Sequence, residues 1–116
     1  MSFSFEIIQI ANIAVVRLHG KIMTDLDLEE IAKESKKWVE KNSCQVIFNL
    51  SELMYINSSG INFFMRTLTK ARINNGELIF CNVQGNVSTL FKIAKLNEIY
   101  TIYPSEEEAV NHFKNK

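Results

Sequence analysis

Proline occurs once and glycine four times in 116 residues, too few for a collagen-like, low-complexity or linker-rich chain. There are only two cysteines, Cys44 and Cys81, far apart and in no metal-ligand spacing. That excludes a multi-disulfide framework and a zinc module, and two reduced, half-buried thiols are expected. Surplus charge is absent: thirteen Lys+Arg balance thirteen Asp+Glu. Nucleic acids and acidic membranes reward clustered positive charge, which this balance does not offer. No apolar run approaches the roughly 20 residues of a membrane span. The first six residues show no basic region followed by an apolar stretch, so no signal peptide is expected. The expected class is a soluble, cytoplasmic protein with neither nucleic acid nor membrane as partner.

What is present is an ordinary globular composition, 47% hydrophobic and 22% charged. The length fits one domain, residues 1–116. A chain of this mass can bury about two-thirds of its unfolded surface, enough for a core without metals or disulfides.

Residues 5–10 and 13–18 are rich in Ile and Val, and Ala11-Asn12 between them is a two-residue hairpin connection. Asn12 tolerates positive φ and Ala11 does so poorly, which leaves the turn type open. Residues 24–41 carry Leu28, Ile31, Ala32, Ser35, Trp38 and Val39 at helical spacing. Thr24 and Asp27 approximate a capping box, and Asp25, Asp27, Glu29 and Glu30 crowd the first turns, where the helix dipole favours them. Val46-Ile47-Phe48 is apolar without alternation, as in a strand covered on both faces. Ser51-Glu52 suggests a turn before the apolar, extended Met54-Tyr55-Ile56.

Asn57-Ser58-Ser59-Gly60 then opens a second helix whose apparent stripe is Ile61, Phe64, Met65, Leu68, Ala71 and Arg72. Asn75-Gly76 reads as its glycine C-cap. Residues 78–81 form a further strand. A helix with Val87, Leu90, Phe91 and Ala94 on one face follows Gly85-Asn86, and 100–103 is a fifth strand. Pro104 precedes a last helix with Ser105 and Glu108 as a capping box and Val110 and Phe113 to dock it. The order ββαβαβαβα predicts an α/β fold: a five-stranded, mostly parallel sheet with four helices and an antiparallel edge strand.

Functional loops of such a sheet gather beyond the carboxyl ends of its strands. The most unusual of these is Asn57-Ser58-Ser59-Gly60: three small polar residues and a glycine between a buried strand and a helix. Small polar residues there cap free N–H groups. The same geometry exposes a hydroxyl where the helix dipole would accommodate a phosphate. Two adjacent serines allow one to cap while the other is modified.

Asn57-Ser58-Ser59-Gly60-Ile61, following residues 50–56, resembles the phosphorylation loop of the STAS domain, the family that includes bacterial anti-sigma-factor antagonists. Weaker matches extend along most of the chain: the hairpin ending in Gly20, Phe48-Asn49-Leu50, Asn75-Gly76-Glu77-Leu78, and Leu90-Phe91-Lys92-Ile93 before Leu96. The resemblance implies a STAS fold and a non-enzymatic binding module. Its partners would be an anti-sigma factor that is also a serine kinase, and a serine phosphatase that reverses the modification. Ser58, first serine of the switch loop, would be the phosphoacceptor, and its added charge the switch. The loop departs from the family's usual Asp-Ser-Ser-Gly in having Asn57, and Met23 stands where an acidic residue is common. Met23, Thr24, Asn62 and Phe63 are the expected partner-binding residues. Phe63 appears there because it lies opposite the apparent stripe, one turn beyond Ser59. The alternative within the family is a non-phosphorylated scaffold or small-ligand-sensing module.

An enzyme is not expected. A nucleophilic serine needs a partnered base, Gly-x-Ser-x-Gly is absent, and there is no P-loop. His19 reads as a strand-end residue and His112 as a helix-surface residue. No metal or cofactor is implied.

Overall fold

The computed structural model describes residues 3–39 and 45–115. The elements are β1 (Ser4–Ile10), β2 (Ile13–Lys21), a 3-10 turn (Asp25–Leu28), α1 (Glu29–Val39), β3 (Gln45–Tyr55), α2 (Ser58–Ile73), β4 (Glu77–Cys81), α3 (Gly85–Ile93), α4 (Leu96–Ile99), β5 (Thr101–Tyr103) and α5 (Glu106–Lys114). The five strands lie in sequence order, with β1 antiparallel to β2 and the other pairs parallel. The α/β class and mixed sheet are as expected. Five α-helices replace the expected four, because the short α4 precedes β5. The first helix starts as a 3-10 turn, and its expected end at Lys41 lies outside the described residues.

The strand order explains where the helices sit. Each parallel step moves the same way across the sheet, and right-handed crossovers then place α1, α2 and α3 on one face. That face holds the main core: Val16, Leu18, Phe48, Leu50 and Phe80 beneath Ile31, Trp38, Phe64, Leu68 and Phe91. The last helix follows the last strand and makes no crossover, so it is available for the other face. There α5 lays Ala109, Val110 and Phe113 over Ile13, Val15, Ile47, Ile79 and Cys81. Val46, Ile47 and Phe48 are each 0% exposed, as their unbroken apolar run predicts for a strand covered twice.

Several local expectations are corrected. Ser51-Glu52 is no turn, since β3 continues to Tyr55. Pairing jumps from Arg17↔Asn49 to His19↔Glu52, so two residues of β3 oppose one of β2. This bulge carries the turn-like composition, and the side-chain Oδ1 of Asn49 accepts from the Ser51 N–H at 2.9 Å. The hairpin has its left-handed residue at Ala11, φ 54. At the end of α2 the left-handed residue is Asn75, φ 61, not the glycine. The Gly76 N–H reaches Ala71 O at 2.7 Å and the Asn75 N–H reaches Arg72 O at 3.1 Å, a Schellman closure. Tyr100 belongs to the core rather than to β5, and Ala94 is exposed. Cys81 is fully buried rather than half-buried; Cys44 lies outside the described residues.

Candidate functional site

The carboxyl ends of β2 and β3 bring two loops together on one rim. The Ile22 N–H donates to Tyr55 O at 2.9 Å, extending the pairing just past both strands. The chain then diverges into the 3-10 turn on one side and α2 on the other.

Asn57 is the N-cap of α2, with extended backbone. Its Oδ1 accepts from the Ser59 N–H at 3.0 Å, and its carbonyl accepts from the Ile61 N–H at 3.1 Å. Capping therefore falls to Asn57, so neither serine is needed for it. Ser58, the first helical residue, is exposed, whereas Ser59 is half-buried. Gly60 is buried where a Cβ would lie 3.1 Å from Ile56 Cβ and 3.4 Å from Ile22 Cγ2. The stiff, β-branched Ile56 has little room to give, so glycine lets α2 start close against the rim.

The neighbouring loop is held from both sides. The Met23 and Thr24 N–H groups donate to Asp27 Oδ2 at 2.8 and 3.0 Å, the acidic half of the expected capping box. Asn57 Nδ2 donates to Met23 O. The two loops and the end of β3 leave apolar side chains uncovered: Met23, Leu26, Met54 and Tyr55 are all exposed. A groove of about 370 Å³ runs between α2 and α3, lined by Tyr55, Ile56, Asn57, Ser58, Ile61, Asn86 and Leu90. No cation is among these lining residues. The loop after β4 is stitched to the rim by Gln84 Nε2 donating to Ser51 O at 2.8 Å.

Met23, Thr24 and Asn62 are at the surface of this region, Asn62 one helical turn after Ser58. Phe63 is not: it is 3% exposed and packs in the main core, so it is no outward anchor. The buried face of α2 is Gly60, Phe63, Phe64, Thr67, Leu68 and Ala71, while Met65 and Arg72 are exposed. The true stripe is rotated from the one read in the sequence. Leu26, Met54, Asn86 and Leu90 were not anticipated at the rim. Leu26 looks like a core position at a helix start, and Met54 like part of a buried apolar run.

The other sheet face carries a second polar centre. Arg17 grips Glu106 through Nε at 3.1 Å and Nη2 at 2.9 Å. Asn49 Nδ2 donates to the same carboxylate at 2.6 Å. The Arg17 hydrogen bonds, helped by Asn49, hold the Glu106 carboxyl below the ordinary carboxylate value. The cleft beside them is about 410 Å³ and includes Glu6, Arg17, His19, Glu52 and Glu106. Burial, with Glu106 adding to it, pushes the Cys81 thiol up to about 12, so it stays protonated and is a poor nucleophile. His112 is not a plain surface residue. Its Nδ1 lies 2.8 Å from the Tyr103 hydroxyl and its Nε2 lies 3.0 Å from Glu77 Oε1. This network pins α5 to the sheet, and neither histidine lines the Ser58 groove.

Among the described residues no group of three or more His, Cys, Asp and Glu could hold a metal. No helix there is long and apolar enough to cross a membrane.

The model of the STAS domain matches residues 4–109. The chain belongs to the STAS domain family. BtrV of Bordetella bronchiseptica, provisionally named an anti-sigma factor antagonist, is 27% identical over 93 residues, covering 80% of each chain. A Paenibacillus polymyxa protein named anti-sigma F factor antagonist is 21% identical over 115 residues, 98% of this chain and 97% of the other. Among solved structures, the anti-sigma factor antagonist SpoIIAA in its unphosphorylated form superposes with a TM-score of 0.76 at 18% identity, over 97% of this chain and 100% of that one. In this STAS domain, the serine loop is therefore the rim segment built by Asn57, Ser58, Ser59 and Gly60.

Proposed function

We propose that this STAS domain is a cytoplasmic, non-enzymatic anti-sigma-factor antagonist that works by partner switching. In its unmodified form it binds an anti-sigma factor that is also a serine kinase. The kinase phosphorylates Ser58, the complex separates, and a serine phosphatase restores the binding form. The observation that carries this reading is the placement of Ser58: exposed at the first position of α2, on a groove that it shares with the apolar Tyr55, Ile61 and Leu90. The names of its relatives support the same class.

The physics of the switch follows from that placement. A helix N-terminus accommodates an anion through its free N–H groups and dipole, so a phosphate on Ser58 leaves the fold intact. The cost falls on the complex. Met23, Met54, Tyr55, Ile61 and Leu90 offer apolar contact, and the groove supplies no cation to neutralise a dianion. Desolvating that charge in an interface costs several kcal/mol, and about 1.4 kcal/mol already changes affinity tenfold.

Incubation with the cognate anti-sigma kinase and ATP, followed by phosphopeptide mapping, tests the reading. The expected result is one phosphate, on Ser58, absent in Ser58→Ala. A kinase active on another substrate that leaves this protein unmodified would favour the non-phosphorylated scaffold.

A further inference from the structure

Taking the Ser58 rim as the partner-binding surface, we propose that Asn57 is a positioning residue: its carboxamide clamps the loop after β2 to the serine loop and fixes Met23 beside Ser58. The two partners of the carboxamide define its orientation. The Ser59 N–H requires an acceptor, which must be Oδ1, and the Met23 carbonyl requires a donor, which must be Nδ2. A carboxylate could do the first job and not the second. Asn57 thus does more than cap a helix.

Met23 depends on this arrangement. Both of its main-chain polar groups are engaged by side chains, the N–H by Asp27 and the C=O by Asn57. Ile22 just before it is buried, while the Met23 side chain is 53% exposed. A run of hydrogen bonds therefore joins the start of α2 to the start of the 3-10 turn: Ser59 N–H to Asn57, Asn57 to Met23, and Met23 N–H to Asp27. Through it the capping residue of the serine loop sets where an apolar side chain on the other loop is presented. Pre-organising a contact this way reduces the ordering cost of binding.

Two variants separate the clamp from the cap. Asn57→Asp keeps an acceptor for the Ser59 N–H but places a carboxylate against the Met23 carbonyl. Asn57→Ser keeps a capping oxygen that is too short to bridge the loops. Hydrogen exchange followed by NMR reads the Met23 and Thr24 amides in the protein alone. In both variants these two amides are expected to exchange roughly fivefold faster, while those of Ile47 and Phe48 do not change. Calorimetry with the cognate anti-sigma kinase then compares wild type, Asn57→Ser, Met23→Ala and the double variant. Asn57→Ser is expected to weaken binding roughly fivefold. The double variant should bind no more weakly than Met23→Ala, because Asn57 acts through Met23. Unchanged exchange in both variants, or losses that multiply in the double variant, overturns the clamp. Failure of the wild type to bind the kinase would sink the partner reading instead, and the exchange data would still decide the clamp.

Discussion

The ring of Phe63 lies over that of Phe48, with centroids 6.1 Å apart and planes inclined by 13°. Phe48 also meets Trp38, Phe64 and Phe80 at 5.6–6.0 Å. Phe63 therefore helps lock α2 onto the central strand. Phe63→Ala is expected to cost roughly 3–5 kcal/mol, the range for a buried aromatic, in a denaturant titration. A loss below about 1 kcal/mol would be incompatible with this packing.

Ala11 takes the left-handed conformation of the β1–β2 turn, φ 54. A Cβ is disfavoured there and glycine is not. Ala11→Gly should stabilise the protein by roughly 0.5–1 kcal/mol, the gain being limited by glycine's freer unfolded chain. Thermal unfolding of the two proteins measures the difference, and a lower melting temperature in the variant would contradict the argument.

The Arg17–Glu106–Asn49 cluster gives stability a pH dependence with a defined sign. Hydrogen bonding to Arg17 and Asn49 lowers the folded Glu106 value below its ordinary 4.5. The contribution is therefore complete at neutral pH and is lost as pH falls from about 4.5 through the folded value. Glu106→Gln is expected to cost about 1–2 kcal/mol at pH 7. The gap from wild type should close on acidification. A gap that stays constant down to about pH 3 would show that the carboxylate's charge is not what matters.

Tyr100 is buried against Phe80 and Phe91, and its hydroxyl has no hydrogen-bond partner among the described residues. Burial accordingly raises its pKa. Removing an unsatisfied buried group should help: Tyr100→Phe is expected to gain about 1 kcal/mol. A destabilised variant would mean that the hydroxyl is satisfied in solution.

The features that survive from sequence to structure are those set by local pattern. Val46-Ile47-Phe48 is central, and its unbroken apolar run suits a strand covered on both faces. Ser105 caps α5 by accepting from the Glu108 N–H at 3.2 Å, and its sequence context announces this. The failures lie where tertiary partners decide. Apolar residues occur round much of α2, so its phase could not be read from spacing. Thr67 is buried on the core-facing side of α2, and its hydroxyl is satisfied there by donating to Phe63 O at 2.8 Å. Ser51-Glu52 reads as a turn because a bulge has the same composition. His112 gains Tyr103 and Glu77 only once α5 has folded back over the sheet. At the site, the serine loop was legible as a segment, but the Asn57–Met23 bridge joins residues from separate loops and leaves no local signature.

The most direct test of the account is isothermal titration of the cognate anti-sigma kinase with this protein before and after stoichiometric phosphorylation of Ser58. The unmodified protein should bind, and the phosphorylated protein should bind at least about tenfold more weakly, with its melting temperature nearly unchanged. Equal affinity of the two forms, with the phosphate confirmed on Ser58, would contradict partner switching.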